Sequence, residues 1–221
     1  ECYKKFTVIS GTIYEGTKIP LSKWFPAVYL CTAHKKGISS IQLSKDIGVT
    51  QKTAWFMLHR IRLMMSDTHP ELLSGTVEAD ETYIGGKDAN KHKSKRTHKL
   101  GKPVQKAPVL SIVERNGRVK SFKLKDTKTQ SVTDPIFDNV EPKSTVITDQ
   151  YNGYFSLPYK FDHQKINHSK EEYVRGSVHT NTVEGYFSLL KRGIIGIYHQ
   201  VSVKHLQRYC NEFDYRYNTR K

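Results

Sequence analysis

The chain has 221 residues and carries 36 Lys and Arg against 21 Asp and Glu, which gives a formal net charge of +15. This length accommodates one sizeable core and a small accessory domain. The excess of positive charge is typical of a protein with a polyanionic partner, and nucleic acid ranks ahead of an anionic membrane surface. The sequence has no run of about 18 apolar residues, so no segment is predicted to span a bilayer.

The three cysteines, Cys2, Cys31 and Cys210, are widely spaced along the chain. Their spacing matches neither a disulfide framework nor a zinc site with four cysteines, and this favours a reducing, intracellular setting. The first residues, Glu1–Lys5, lack the layout of a signal peptide. An isolated Cys2 also fits the last ligand of a truncated metal module, and one cysteine leaves that alternative open.

The first third of the chain divides into two predicted parts. Residues 1–20 are predicted to form an extended lead-in, because apolar residues alternate in Phe6–Pro20 among several glycines. Residues 21–70 are predicted to form a helical DNA-binding domain. Its first helix is Leu21–His34, which Pro26 interrupts or starts.

A helix-turn-helix is predicted within Lys36–Arg62, where Gly48 supplies the turn and Thr50 caps the second helix. Ile38, Ile41 and Leu43 mark its first helix, and Val49 is predicted to pack at the corner. The predicted core stripe of the second helix is Trp55, Leu58 and Ile61. Major-groove readers occupy the N-terminal end of such a second helix. The predicted DNA-contacting residues there are Gln51, Lys52 and Thr53. The alternative is a helical hairpin that contacts only protein.

Residues 71–221 alternate between strand and helix patterns, which predicts an α/β fold with a mixed sheet covered by helices. Two β-rich runs flank Arg115-Asn116-Gly117, and this is a strong hairpin signal. The predicted strands are Gly75–Gly86, Ala107–Glu114, Arg118–Lys125, Ser144–Thr148 and Phe161–His168. The predicted helices are Thr129–Val140, a helix within His179–Gly193, and Ser202–Asn218.

A basic insert, residues 87–106, follows the first of these strands. It holds eight Lys or Arg against the single acidic residue Asp88 and has few apolar side chains. Such a segment cannot bury a core and is predicted to be a mobile surface loop. The residues in it that are predicted to contact phosphates are Lys91, Lys93, Lys95 and Arg96. The alternative is a solvated loop that binds nothing.

The helix within His179–Gly193 has an apolar and a polar face. The apolar stripe consists of Val183, Phe187 and Leu190, and the polar stripe of Asn181, Glu184, Ser188 and Lys191. Thr180, Asn181 and Thr182 are all suitable N-caps, and Gly193 is a natural stop. Glu184 and Lys191 are too far apart for the usual ion pair within a helix. Their placement suggests a third group, a metal-bound phosphate.

Three acidic residues stand out by position: Asp80 late in the first strand, Asp149 directly after a buried strand, and Glu184 in this helix. Carboxylates at strand ends meet at one edge of a sheet, where a helix can bring a third. Such a cluster is costly unless cations neutralise it, and Mg²⁺ is a suitable hard cation. Two ions about 3.5–4 Å apart activate an attacking oxygen and stabilise a leaving one.

Each of these residues has a simpler alternative role. Asp80 would pair with a lysine, Asp149 would form a turn, and Lys191 would be an ordinary surface residue. Glu78 and Glu81 lie close to Asp80 in the sequence. Each is predicted either to support the site or to be solvated. A local structural role is predicted for His179, and nucleophilic chemistry is disfavoured for Ser188 because nothing nearby would activate it.

Asp149 and Glu184 are 35 positions apart, and Lys191 follows Glu184 by seven. With Asp80, this spacing resembles the catalytic triad of DDE transposases and retroviral integrases, which share the RNase H-like fold. The segments Glu78–Gly86, Thr148–Tyr154 and His179–Gly185 resemble one bacterial insertion-sequence branch. Members of that branch carry a zinc ribbon, a helix-turn-helix and a catalytic domain. Cys2 followed by Phe6 resembles the tail of such a ribbon, so the chain is expected to lack that first module.

The resemblance implies a DNA transposase that cleaves the 3′ ends of an insertion sequence and joins them to target DNA. It implies that Asp80, Asp149 and Glu184 hold Mg²⁺ or Mn²⁺, as two ions. Lys191 and Arg192 are expected to contact DNA. A homo-oligomer on transposon ends and target DNA, in the bacterial cytoplasm at the nucleoid, is also implied.

The third catalytic position of that branch is often described as Asn, so Asn181, one turn before Glu184, is an alternative third ligand. Glu184 is favoured because an anion binds a cation better than an amide does. Two other functions stay open: an RNase H-like nuclease without joining activity, and a non-catalytic DNA-binding regulator.

Overall fold

The computed structural model of the chain describes residues 6–66, 71–86, 92–96, 106–167, 176 and 178–220. Cys2 and most of the basic insert fall outside these ranges. The chain divides into two compact units, Glu1–Ser66 and Asp67–Lys221. No helix in the described ranges is both long enough and apolar enough to cross a membrane.

The first unit contains three helices, α1 (Leu21–Ala33), α2 (Ser40–Ile47) and α3 (Gln51–Met64). The side chains of Ser39 and Thr50 cap α2 and α3, accepting hydrogen bonds from backbone N–H groups three residues further on. Gly48 ends α2 with a φ of 63°, a left-handed conformation that suits glycine. The predicted turn and the cap at Thr50 are confirmed, whereas DNA binding by this unit stays a prediction.

The prediction that Trp55 belongs to the core of the first unit is wrong, because 41% of its surface is exposed. Its ring contacts that of His59 in a tilted arrangement, with 4.2 Å between the centroids and 58° between the planes. The buried stripe of α3 is Ala54, Met57, Leu58 and Ile61, which places Trp55 beside the core. The other two members of the predicted stripe, Leu58 and Ile61, are buried, so the error is confined to Trp55.

The prediction of an extended lead-in is also wrong. Residues 6–20 form successive turns, in which Ser10 N donates to Thr7 O at 2.9 Å and Glu15 N donates to Thr12 O at 3.0 Å. Ile13, Tyr14 and Ile19 pack against the helical core. The apolar residues of this segment therefore serve tertiary packing. The next segment, α1, runs through Pro26, which neither starts nor interrupts it.

The second unit is built on a five-stranded sheet in the order β3-β2-β1-β4-β5. Its strands are β1 (Thr76–Ile84), β2 (Ala107–Glu114), β3 (Val119–Lys123), β4 (Thr145–Thr148) and β5 (Asp162–Lys165). Strand β2 is antiparallel to β1 and β3, whereas β4 is parallel to both β1 and β5. The hairpin predicted around Arg115-Asn116-Gly117 joins β2 to β3 and is confirmed.

Helices cover both faces of this sheet: α4 (Thr129–Asn139), α5 (Asn181–Gly193) and α6 (Leu206–Asn218). On one face, the α4 residues Val132 and Ile136 share a core with residues of β1, β2 and β4. On the other face, α5 and α6 pack on β2 and β3 through a second core. The predicted α/β fold class, a mixed sheet flanked by helices, is confirmed.

The prediction that α5 stops because of Gly193 is wrong. Gly193 has a helical φ of −69°, and the chain continues into a π-helical turn, Ile194–Tyr198. A Cβ at position 193 would lie 1.9 Å from Cζ of Phe213 in α6. The glycine is therefore required for the close approach of α5 and α6 rather than for termination.

Replacing Gly193 with Ala is expected to destabilise the protein by about 1–3 kcal/mol, because the buried Phe213 ring must move. Gly185 in the same helix is the matched control, since a Cβ there meets nothing within 4 Å. Gly185→Ala should stabilise by up to about 1 kcal/mol through helix propensity alone. Urea denaturation measures both, and equal stability of the two variants would contradict the packing argument.

Candidate active site

Asp80 lies in the middle of β1 rather than late in it as predicted, and Asp149 directly follows the C-terminal end of the neighbouring parallel strand β4. The register of β1 and β4 pairs Val77 with Val146 and Glu78 with Ile147. Two residues further along both strands, the same register brings Asp80 level with Asp149. This parallel pairing explains how two acids 69 positions apart come together.

The N-terminal end of α5 is tied to β1, which brings Glu184 to the same region. The backbone N–H groups of Thr182 and Val183 donate to Glu78 Oε2, at 2.8 and 3.1 Å. Glu184 is the next residue, in the first turn of α5. The stripes predicted for this helix are confirmed, because Val183, Phe187 and Leu190 are buried. The members of its exposed stripe are Asn181, Glu184, Ser188 and Lys191.

The pKa of Asp80 is raised to about 7. Burial is the main cause, and the negative charges of Glu81, Asp149 and Glu184 add to it. A hydrogen bond from the Glu81 N–H to Asp80 Oδ1, at 2.8 Å, opposes the shift only in part. The predicted acids therefore act on one another electrostatically.

The side chains of Asp149 and Glu184 are engaged in local hydrogen bonds. Asp149 Oδ1 accepts from Tyr151 N at 2.9 Å, and Glu184 Oε1 accepts from Thr180 Oγ1 at 3.1 Å. In the part of the chain that the structure describes, no three His, Cys, Asp or Glu side chains are grouped closely enough to hold a metal ion. A shared ion would require these carboxylates to turn toward Asp80.

The chemistry of the three carboxylates nevertheless fits a hard divalent cation. All the donors are carboxylate oxygens, which Mg²⁺ and Mn²⁺ prefer. Burial is the main cause of the raised pKa of Asp80, and a cation would offset the neighbouring negative charges that add to it. Metal binding by Asp80, Asp149 and Glu184 stays a prediction.

Glu78 is a functional candidate that the sequence did not distinguish from its neighbours. It is fully buried and accepts hydrogen bonds from Arg115 Nε at 2.7 Å and from Thr182 Oγ1 at 2.8 Å. His179 Nδ1 lies 3.3 Å from Glu78 Oε1 without hydrogen-bond geometry. The side chain of Thr180, the N-cap residue, makes no capping bond. Glu78, which lies on β1, caps the N-terminus of α5 instead.

Glu81 holds the segment that follows β4. The hydroxyl of the buried Tyr154 donates to Glu81 Oε2 at 2.5 Å, and burial raises the pKa of Glu81. Tyr151 OH donates to Thr127 O at 2.6 Å. These bonds fix both ends of a short turn directly after Asp149. The sequence signal for this turn is the Tyr151-Asn152-Gly153-Tyr154 motif, which is typical of a turn.

The predicted basic contacts near Glu184 are on the exposed side of α5. Lys191 Nζ lies 5.8 Å from the centroid of the Phe187 ring, within the range of a cation–π contact. Arg192 Nε donates to Ser188 O at 3.1 Å. Both residues are exposed, so their cationic groups are accessible to a phosphate.

The remaining predicted DNA-contacting residues differ in their accessibility. In the first unit Lys52 is exposed, whereas Gln51 Nε2 donates to Ser40 Oγ at 2.8 Å and Thr53 Oγ1 lies 2.9 Å from Thr50 Oγ1. In the insert, Lys93 is exposed and Arg96 is half-buried. Lys91 lies outside the described residues, and for Lys95 the structure describes only the backbone, in a single helical turn.

The raised pKa of Asp80 predicts how stability depends on pH. With a pKa of about 7 against an ordinary value of 3.8, the folded protein binds the proton more tightly than the unfolded chain. Without metal, stability should therefore fall as pH rises from about 4 to 7, by on the order of 2–4 kcal/mol. Asp80→Asn removes this loss and should be more stable than the wild type at pH 8. Urea denaturation in EDTA measures the free energy of unfolding of both proteins as a function of pH. A difference between the two proteins that does not change with pH would contradict the prediction.

Comparisons with known proteins identify relatives of this chain. The ISXO2-like transposase domain matches residues 72–218. The chain is 29% identical over 227 residues to an uncharacterized protein in transposable element ISH50 of Halobacterium salinarum, covering 98% of this chain and 76% of that protein.

Two solved structures, the Mos1 strand transfer complex and a pre-cleavage Mos1 transpososome, are each 11% identical to this chain and cover 92% of it. The chain covers 78% and 79% of their lengths, with TM-scores of 0.31 and 0.29, which are too low to carry an argument. The match of the transposase domain spans well over half of the sequence. The chain therefore belongs to the family of ISXO2-like transposase domains.

Proposed function

We propose that this protein is a DNA transposase that cleaves the 3′ ends of an insertion sequence and joins them to target DNA. Asp80, Asp149 and Glu184 are its proposed catalytic acids. The observation that carries the proposal is geometric: the register of β1 and β4 brings Asp80 level with Asp149, and the bonds of Glu78 to the start of α5 bring Glu184 to the same region. The raised pKa of Asp80 and the membership of a transposase family support it.

Both proposed reactions are displacements at phosphorus. In cleavage, a water oxygen bonds to the phosphorus, the P–O3′ bond breaks, and the transposon end is left with a 3′-OH. In joining, that 3′ oxygen bonds to a target phosphorus and a target P–O3′ bond breaks. In the joining step one phosphodiester bond forms for each one that breaks, so no energy-rich cofactor is required.

The three acids would hold Mg²⁺ or Mn²⁺, as two ions. When bound, these ions neutralise charge at the phosphate and favour ionisation of the attacking oxygen. The chain itself aligns the attacking and leaving oxygens and excludes competing geometries. Lys191 offers an ammonium group to a non-bridging phosphate oxygen. Asn181, one turn before Glu184, is placed to orient a water or to act as the alternative ligand.

DNA binding is assigned to both units. In the first unit the N-terminal end of α3, where Gln51 and Lys52 are exposed, is proposed to enter the major groove of the transposon end. In the second unit the proposed phosphate contacts are Lys91, Lys93, Lys95, Arg96, Lys191 and Arg192. Because two ends are joined in one event, a homo-oligomer on DNA is expected.

The test is strand transfer with the element's own terminal repeats, pre-cut to expose a 3′-OH, in Mg²⁺ or Mn²⁺. The proposal expects covalent joining to a target plasmid, which an otherwise identical end with a 3′-deoxy terminus does not give. Nicking without joining would instead indicate a nuclease. Binding of the repeats without either reaction would indicate a regulator.

A further inference from the structure

We infer that Glu78 is a positioning residue that fixes α5, and with it Glu184, relative to Asp80. The inference rests on the proposed function, because it assigns Glu78 to the assembly of the catalytic acids. Glu78 does not itself touch DNA or a metal ion in this role.

Both carboxylate oxygens of Glu78 are occupied by donors from other parts of the second unit. Oε2 accepts from the backbone N–H groups of Thr182 and Val183, at 2.8 and 3.1 Å. Oε1 accepts from Arg115 Nε at 2.7 Å and from Thr182 Oγ1 at 2.8 Å. The side chain is fully buried, so water does not compete for these bonds. Since its acceptors are already used, Glu78 is suited to holding protein groups in place rather than a ligand.

The position of Glu78 in the chain explains why these bonds matter for the site. Asp80 is two residues further along β1, on the same face of the strand. Glu184 follows Thr182 by two residues, in the first turn of α5. One carboxylate thus connects the segments that carry two of the three proposed catalytic acids. Its negative charge at the N-terminus of α5 also interacts favourably with the helix dipole.

Arg115 also connects β1 to the start of α5, and its positive charge balances the buried negative charge of Glu78. Besides its bond to Glu78, its Nη2 donates to the backbone oxygen of His179 at 3.0 Å. Its backbone N donates to Thr76 O at 3.0 Å. Arg115 therefore contacts the start of β1 and the residue two positions before α5. Removing either Glu78 or Arg115 would leave the other charge buried and unsatisfied, which is costly. The pair therefore holds the elements that it joins in one geometry.

The test compares Glu78→Gln with the matched control Glu114→Gln. Glu114, at the end of β2, makes analogous bonds, accepting from Ser74 N at 3.1 Å and Ser74 Oγ at 3.2 Å. Neither of these bonds involves α5. Glu114→Gln therefore measures the effect of losing a structural carboxylate that does not hold α5. Three quantities are measured for each protein: the single-turnover joining rate at saturating DNA, the Kd for DNA, and the Mn²⁺ concentration that gives half of the rise in Tm.

For Glu78→Gln the joining rate is expected to fall about 100-fold, the effect of a misplacement of about 1 Å, with the Kd for DNA unchanged. The Mn²⁺ concentration for half of the rise in Tm should increase about 10–100-fold, as for partners that orient metal ligands. Glu114→Gln should lose stability but keep the wild-type rate and Mn²⁺ response. A folded Glu78→Gln protein with the rate and Mn²⁺ response of the control would overturn the inference.

Hydrogen exchange keeps the inference testable if the proposed function fails. Glu78→Gln should accelerate exchange of the Thr182 and Val183 amides whether or not the wild type joins DNA. Unchanged exchange would overturn the inference, whereas a wild type without joining activity would overturn only the proposed function. If Glu78→Gln does not fold, Thr182→Val removes one donor to Glu78 and should show the same changes in smaller measure.

Discussion

Replacing Asp80 or Asp149 with Asn is expected to abolish strand transfer, with the joining rate lowered by at least about 10³-fold. An amide has nearly the shape of the carboxylate but lacks the charge that holds a divalent cation. The affinity for DNA should not fall, because each substitution removes a negative charge that repels phosphate. The expected result is thus a protein that binds its DNA and does not join it.

Asp80→Asn also separates a chemical defect from a folding defect. Its loss of activity should accompany a gain in stability at pH 8 in EDTA, because burial and neighbouring charges raise the pKa of the native carboxyl to about 7. A variant that is more stable and yet inactive cannot owe its inactivity to unfolding. In the wild type, Mg²⁺ should restore the stability that the crowded carboxylates cost.

Asp162→Asn is the matched control for this pair. Asp162 is paired with Thr145 at the opposite end of β4 from Asp149, so it is an acid of the same sheet outside the proposed site. Its variant should join DNA at the wild-type rate. Joining is measured on pre-cut ends in Mg²⁺ and Mn²⁺, and DNA binding by fluorescence anisotropy. Metal-dependent joining by both Asp80→Asn and Asp149→Asn would refute the proposed catalytic role.

The sequence was sufficient where a structure depends on local periodicity. The strands β1, β2 and β3, the hairpin at Asn116-Gly117 and the buried stripe of α5 all follow patterns that repeat within one element. The acids stand out in the sequence because Asp80 lies within a predicted strand, Asp149 directly follows another, and Glu184 lies on the polar face of a predicted helix. In the structure Asp149 and Glu184 both contribute to the raised pKa of Asp80, which agrees with that expectation.

The sequence was insufficient where a side chain depends on a distant partner. Gly193 looks like a helix stop until Phe213, which lies 20 residues further on, is seen to occupy the space of its Cβ. Glu78 resembles any glutamate on a strand, because its partner Thr182 is 104 residues away. Trp55 resembles a core residue because it lies three residues before the buried Leu58, at the edge of the buried stripe. In each case the information is in the tertiary contact rather than in the local pattern.

The choice between Glu184 and Asn181 as the third ligand predicts two different mutational effects. Glu184→Gln should lower the joining rate by about 10³-fold, because a neutral amide replaces an anionic ligand. Asn181→Ala should lower it by about tenfold or less, the effect of losing one outer contact. The charge of Glu184 already reaches Asp80, since it contributes to the raised pKa of that residue. Asn181 is exposed at the first position of α5.

Metal binding measured without DNA decides the assignment independently of the reaction. Glu184→Gln should raise the Mn²⁺ concentration needed for thermal stabilisation, whereas Asn181→Ala should leave it close to the wild-type value. Ser188→Ala, on the same exposed stripe one turn beyond Glu184, is the control and should change neither quantity. The reverse result, a severe loss of joining and of the Mn²⁺ response in Asn181→Ala with Glu184→Gln unaffected, would transfer the third position to Asn181. In that case the role of Glu184 would be structural, with its hydrogen bond to Thr180 at the start of the helix as one contribution.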